Sequence, residues 1–515
     1  MTTRDKFVEH IKQGYAFKGK TAVLGAAVFQ GEVVTNARVE APLRTFNRHG
    51  LIAGATGTGK TKTLQRLAES LSKAGVPVLL MDVKGDVSGI SQKGEANART
   101  DERQTKIGMP WKPESFPVEF MTISNEKGVR LRATVSEFGP VLFSKILELN
   151  ETQASVVSMV FKYCDDNTLP LLDLKDFKKA VQFLTNEGKK EVEAEYGRIS
   201  TATTGLMIRK VVELEQQGAD AFFGERSFDV EDLLRIDDRG YGTINVLRLV
   251  DMQSKPKLFS TFMLCLLAEI YSRFPEEGDL EQPKLVMVID EAHLVFNEAS
   301  KALLDQLETI IKLVRSKGVG IFFCTQSPTD IPAAILGQLG MKVQHALRAF
   351  TALDRKAIKL AAENYPETTF YKTDEILTSM GIGEALVTCL NEQGVPTPLV
   401  HTMICAPESR MASISESELN AAVSSSLLAK KYGEEIDRES AYEMLTAKLH
   451  QASTNAGTPS QAQPAQRSEK STFEKVISDP ITRQIERTVA REVTRGLLGV
   501  LGLSGGSRSR RGGLF

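Results

Sequence analysis

Cysteine is scarce in this 515-residue sequence and tryptophan scarcer, with five and one respectively. Cys164, Cys265, Cys324, Cys389 and Cys405 are scattered and form no C-x-x-C pair, which argues against a disulfide framework or a zinc site. Cys265 and Cys324 sit in apolar runs and are expected to be buried thiols. No stretch of 18 uninterrupted apolar residues occurs, so a transmembrane helix is not expected. No apolar h-region follows Met1-Thr-Thr-Arg-Asp-Lys. These two absences predict a soluble, cytoplasmic protein. An excess of charge is also missing. Lys and Arg number 64 against 65 Asp and Glu, for a net charge of −1, so gross charge advertises no polyanionic partner. The imbalance is local: residues 451–515 carry ten Lys/Arg against five Asp/Glu. There are no tandem repeats, and the length allows two or more domains.

What is present is concentrated in one run, Gly54-Ala55-Thr56-Gly57-Thr58-Gly59-Lys60-Thr61, which meets every fixed position of the pattern G-x-x-x-x-G-K-[ST]. Apolar Leu51-Ile52-Ala53 enters it, and a helical pattern with Leu64, Leu67, Ala68 and Leu71 leaves it. Glycines let the backbone curl so that N–H groups face phosphate oxygens, and the helix N-terminus adds positive potential. Lys60 is placed to reach the β and γ phosphates of a nucleotide, and Thr61 to ligate Mg²⁺.

A second constellation is Leu285-Val-Met-Val-Ile-Asp290-Glu291-Ala-His293, an apolar strand delivering two carboxylates at its end. After a complete P-loop, this has the Walker B form. Asp290 would hold Mg²⁺, and Glu291 would orient and polarise the attacking water. His293 is expected to pack or cap beside Glu291. The strand ending Cys324-Thr325-Gln326 would let Gln326 contact the γ-phosphate or the water if it lies beside the P-loop strand; otherwise Gln326 is a polar strand terminus. Arg315 and Lys317 close a helix, where a cation either complements the helix dipole or reaches a neighbouring subunit's nucleotide. Arg348 closes a strand in the same half of the sheet and is a weaker candidate to face the nucleotide.

Apolar strands recur at Val76–Asp82, 242–247, 284–290, 320–325, 343–348 and 383–389, with helices between. That alternation predicts an α/β fold, a doubly wound sheet with a largely parallel core. Six segments are expected. Residues 1–49 form a short β segment, 50–138 the first part of the core, 139–234 a helical insertion, and 235–450 the second part. Residues 451–472, rich in Ala, Ser, Gln, Pro and Thr, read as a flexible linker. Residues 473–515 carry an amphipathic helix opening at Pro480 and a basic tail. Ile481, Ile485, Val489, Val493 and Leu497 make one row of that helix, and Arg483, Arg487, Arg491 and Arg495 another.

The combination of Gly54–Thr61, Asp82-Val-Lys-Gly-Asp86, Val288–His293, Arg315-Ser-Lys-Gly318 and Thr325-Gln326-Ser-Pro resembles the HerA/FtsK superfamily of P-loop ATPases. Within it, Asn47-Arg-His-Gly-Leu-Ile, Gly337–Phe350 and Asp437–Leu445 are similar to the bacterial DUF853 (YjgR-type) group. The resemblance implies a RecA-like P-loop NTPase core with a helical insertion, using ATP and Mg²⁺. It also implies assembly with itself into a ring, a hexamer, with nucleotide at subunit interfaces and movement along double-stranded DNA. Lys60 and Thr61 then carry the P-loop roles, Asp290 and Glu291 the Walker B roles, Arg315 the trans-acting arginine and Gln326 the sensor. HerA has a substantial N-terminal β-barrel; with 49 residues before the strand and loop, any barrel here is rudimentary. Related motors in secretion and conjugation leave a protein or membrane-associated load as the alternative, docked through the C-terminal helix. The sequence alone assigns no role to Asp82–Asp86.

Overall fold

A computed structural model describes residues 2–278, 280–296, 301–434, 436 and 438–455, leaving aside the side chains of 302, 303 and 452–455. The chain divides into two compact units, Met1–Leu131 with Phe228–Glu434, and Arg132–Ser227 with the chain after residue 434.

The first unit is built on a twelve-stranded sheet. Its strands are β1 (Thr21–Phe29), β2 (Glu32–Pro42), β3 (Gly50–Ala53), β4 (Val78–Asp82), β5 (Val118–Thr122) and β6 (Val129–Arg130). The chain then adds β7 (Ile244–Arg248), β8 (Leu285–Ile289), β9 (Val319–Thr325), β10 (Met341–His345), β11 (Glu384–Thr388) and β12 (Val400–Ile404). In space the order is β2-β1-β12-β11-β10-β3-β9-β8-β4-β7-β5-β6. From β10 to β6 every neighbour is parallel, and from β10 back to β2 every neighbour is antiparallel. The expected largely parallel α/β sheet is therefore observed.

The parallel strands read as apolar runs because helices cover both faces. Every residue of β3, β4, β8 and β9 is buried. One continuous core runs from Phe7 and Ile11 of α1 (Thr3–Gly14), through Leu64, Leu67 and Leu71 of α2 (Lys60–Lys73), to Val286, Val288 and Phe322 of the sheet. Helix α2 is also fixed by its one fully buried acid. Glu69 accepts hydrogen bonds from the Glu408 and Ser409 amides, both at 2.9 Å, so its carboxylate is satisfied within the fold.

Three strands were not anticipated: β5, the two-residue β6, and β12, whose burial alternates. Strand β12 matters most, because β1 pairs with it and joins the N-terminal β segment to the central sheet. Cys324 is buried as expected, whereas Cys265, on the helix Pro256–Arg273, is only half-buried. No two of the five cysteines are joined in a disulfide.

The second unit is helical, with Val135–Ile146, Glu151–Asp166, Leu174–Thr185, Lys189–Glu195 and Thr201–Gln216. This part of the unit runs over 132–227, with its first helix starting at Val135; the sequence reading placed a helical insertion at 139–234. Capping boxes at Thr134, Asn150 and Asp173 start three of these helices. Phe143 and Phe177 meet edge to face at 4.8 Å in its core. A last helix, Ala441–Asn455, joins this unit, with the Tyr442 amide donating to Asp176 at 2.8 Å. That helix runs into the start of the segment read as linker. The rest of that linker, and the amphipathic helix with its Arg row, lie outside the described residues. Among the described residues no helix is long and apolar enough to cross a membrane.

Candidate nucleotide site

In an open parallel sheet, ligands bind beyond the carboxyl ends of the strands. Strand β3 ends at Ala53 between β10 and β9, and the Gly54–Thr61 loop leaves it there. Its conformation requires glycine. Gly54 sits at φ 153°, and a Cβ there would lie 2.5 Å from the His345 Cβ. Gly59 sits at φ 110°, where a Cβ would press on Gly383 at 3.1 Å. The loop is held from outside by Ala55 N–H to Ala346 O at 2.9 Å and Gly383 N–H to Thr58 O at 2.9 Å. Helix α2 begins at Lys60 with no side-chain cap, so its first amides keep the orphan donors that an anion satisfies. The Lys60 ammonium is buried and donates to the carbonyls of Gly54 at 2.7 Å and Ala55 at 3.2 Å.

Strands β4 and β8 are paired side by side, Met81 opposite Ile289. Both therefore deliver carboxylates to the same edge: Asp82 from one, Asp290 and Glu291 from the other. Burial, then the charge of Asp86, raises Asp82 to about 6. Burial, then the charge of Glu291, raises Asp290 to about 6. Asp82 accepts the amides of Gly85 at 2.7 Å and Val87 at 3.3 Å, which closes the loop carrying Lys84 and Asp86. Asp86 in turn accepts the Thr61 hydroxyl at 3.2 Å, and Lys84 forms an ion pair with Glu291. Burial lowers the Lys84 ammonium, but its bond to Glu291 and the charges of Asp290, Glu291 and Asp86 prevail and leave it raised. Glu291 is buried, sits at φ 47°, and has His293 Nδ1 3.1 Å from its other oxygen. A positive φ on glutamate is strained backbone of the kind concentrated at functional sites.

The residues fit a divalent cation beside Thr61. Oδ2 of Asp290 and Oδ1 of Asp86 are buried without a hydrogen-bond partner. Among the described residues no three His, Cys, Asp or Glu side chains form a self-sufficient metal cage. A cation here would take ligands from Thr61, a carboxylate, a nucleotide and water, which is the habit of Mg²⁺.

Gln326 stands directly after Thr325, which pairs with Ala53, so it does lie beside the P-loop strand, exposed at the same edge. Arg348 is also exposed at that edge, just past β10. Arg315 is elsewhere. It follows the helix Lys301–Val314 and precedes the start of β9, so the seven-residue strand separates it from the cradle edge by about 20 Å. It therefore lies at the opposite end of β9 from the cradle.

Three contributors had no assigned role. Lys84 and Asp86 lay in the noticed motif Asp82–Asp86, whose meaning appears only when β4 and β8 pair. His345 carried no signal at all. It is fully buried, its Nε2 accepts the Thr63 hydroxyl at 2.9 Å, and its Nδ1 donates to Glu384 O at 2.9 Å. Burial holds it down to about 4, hence neutral.

Comparison with known proteins agrees with this picture. The family described as helicase HerA-like C-terminal matches residues 29–509. The chain is 23% identical over 358 residues to the DNA double-strand break repair helicase HerA of Sulfurisphaera tokodaii, covering 68% of this chain and 64% of that protein. It is 24% identical over 376 residues to the HerA of Saccharolobus solfataricus, again covering 68% and 64%. The chain thus spans just under two thirds of these relatives' length. Among solved structures it is similar to the bacterial conjugative coupling protein TrwBdeltaN70, with a TM-score of 0.51 and 12% identity over 79% of this chain and 94% of that one. At that identity the likeness is one of fold. The chain belongs to the helicase HerA-like C-terminal family.

Proposed function

We propose, from that membership and the site, that this protein is a Mg²⁺-dependent ATPase working as a homo-oligomeric ring, a hexamer, that moves along double-stranded DNA. One observation carries the ATPase reading: a glycine-built phosphate cradle and the strained carboxylate Glu291 meet at the same edge of one parallel sheet. The amides of residues 54–61 and Lys60 bind the β and γ phosphates. Thr61 and Asp290 hold Mg²⁺, which when bound neutralises phosphate charge. Glu291 aligns a water and takes its proton as the oxygen attacks the γ-phosphorus. The bond to the β–γ bridging oxygen breaks, leaving ADP and phosphate. Gln326 contacts the γ-phosphate or the water. Arg315, at the opposite end of β9 from its own cradle, serves the next subunit's nucleotide, a reading that makes the ring part of the chemistry.

Duplex DNA as the load is supported by the HerA relatives, described as DNA double-strand break repair helicases. The test is ATP turnover with and without duplex DNA across a salt series, alongside native mass measurement. Stimulation that falls steeply with salt is expected, because phosphate contacts release counterions. Equal turnover with and without DNA would remove DNA from the proposal and leave the ATPase.

A further inference from the structure

Two lysines stand at this edge of the sheet, and both are occupied by the protein's own acceptors. Lys60 is spent on the carbonyls of Gly54 and Ala55. Lys84 is spent on Glu291, whose second oxygen is approached by His293. Both oxygens of this buried carboxylate thus have a nitrogen of the protein beside them. Yet Glu291 is the group the reaction needs.

The loop around Lys84 is fixed by hydrogen bonds, while its side chain is partly exposed. Asp82 accepts two loop amides, Val83 O accepts Gln253 Nε2 at 3.0 Å, and Gly85 O accepts the Ser413 hydroxyl at 3.0 Å. The Lys84 side chain is 38% exposed, against 6% for Glu291. It stands among Asp86, Asp290 and Glu291, and Asp86 bonds the Thr61 hydroxyl at the rim of the cradle. A lysine is a compact charge on a four-carbon stem with three donors, suited to changing partners without a change of backbone.

We infer that Lys84 is the positioning residue of Glu291: it holds that carboxylate while the cradle is empty and moves to the terminal phosphate of a bound nucleoside triphosphate, freeing Glu291 for water. A diphosphate lacks the group that draws it away, so hydrolysis competence follows the arrival of the γ-phosphate. This rests on the reading of the site as an ATP site.

The test is equilibrium binding of Mg²⁺ with a non-hydrolysable ATP analogue, and of Mg²⁺ with ADP. The proteins are wild type, Lys84→Met, Glu291→Gln and the double variant. Lys84→Met should weaken the triphosphate by about tenfold, the scale of one charge-assisted hydrogen bond, and leave ADP unchanged. Lys84→Arg, which keeps the charge, should recover most of that loss; a loss that persists in Lys84→Arg counts against the exchange. Glu291→Gln should tighten the triphosphate by releasing the lysine, and this gain should shrink in the Lys84→Met background. A lysine that stays on Glu291 predicts the reverse, since deleting the carboxylate helps more once its neutralising partner is gone. Lys84→Gln stands in if Lys84→Met does not fold. A wild type that fails to bind the analogue overturns the ATP reading and this inference together. A wild type that binds, with the cycle of opposite sign or with ADP weakened equally, overturns this inference alone.

Discussion

The two halves of the sheet have different tasks, and their burial shows it. Parallel strands β3, β4, β8 and β9 are buried at every residue, while antiparallel β2 and β12 alternate between exposed or half-buried and buried positions. Full burial leaves these four parallel strands no place for polar chemistry except beyond their ends, and there Lys60, Asp82, Asp290 and Glu291 collect. The antiparallel half offers no reacting group. It braces: Gly383, just before β11, holds Thr58, and Glu384 holds His345. Strand β10 belongs to both halves, parallel to β3 and antiparallel to β11, and His345 at its end ties β11 to α2. Chemistry and bracing are thus separated along one sheet.

That separation is open to attack by substitution. Lys60→Ala should nearly abolish ATP binding, since the cradle loses its buried cation; wild-type affinity by calorimetry would contradict the assignment of the loop. Arg315→Ala should lower turnover by about 10³–10⁵ with ATP affinity kept, as expected of a finger acting on the transition state. Mixing Arg315→Ala with Lys60→Ala subunits should restore part of the activity, because some interfaces then pair an intact cradle with an intact arginine. Co-assembled mixtures without any gain would rule out the intersubunit role. Glu291→Gln should still bind ATP while turnover falls by about 10²–10⁴, the usual worth of a general base. A variant with normal turnover would move the base elsewhere.

Effects in the brace should appear in stability instead. His345 is neutral in the fold, near 4, against an ordinary value of about 6.5 when unfolded. Above 6.5 neither state is charged and His345 contributes no pH dependence. As pH falls from 6.5 toward 4 the unfolded state takes up the proton first, so stability is lost, by about 3 kcal/mol at most. Melting temperatures of His345→Gln should therefore fall less than those of wild type over this window; identical slopes would show that His345 is not held neutral. Thr63→Val, which leaves His345 Nε2 without its donor, should cost about 1 kcal/mol and alter turnover little. A large loss of turnover there would break the division between bracing and chemistry.

The phosphate cradle, the paired carboxylates and the α/β alternation were legible because each is written within a few consecutive residues. Backbone curling needs Gly54, Gly57 and Gly59 where they stand, and a buried parallel strand needs an unbroken apolar run. Strands β5, β6 and β12 were not legible. One is two residues long, and the others carry polar residues that dilute the pattern, such as Glu119, His401 and Thr402.

The sequence by itself determined which residues are candidates to touch phosphate and to hold a cation. Only the tertiary structure decided that β9 lies between β3 and β8, which sets Gln326 at the cradle and Arg315 at the far edge. It alone paired Lys84 with Glu291, Asp86 with Thr61, and His345 with Thr63, the last across 282 positions of chain. The reason is physical. Loop conformation and strand formation answer to neighbouring residues, whereas strand order is a choice among many apolar runs of nearly equal character, settled only by how the whole sheet and its helices pack.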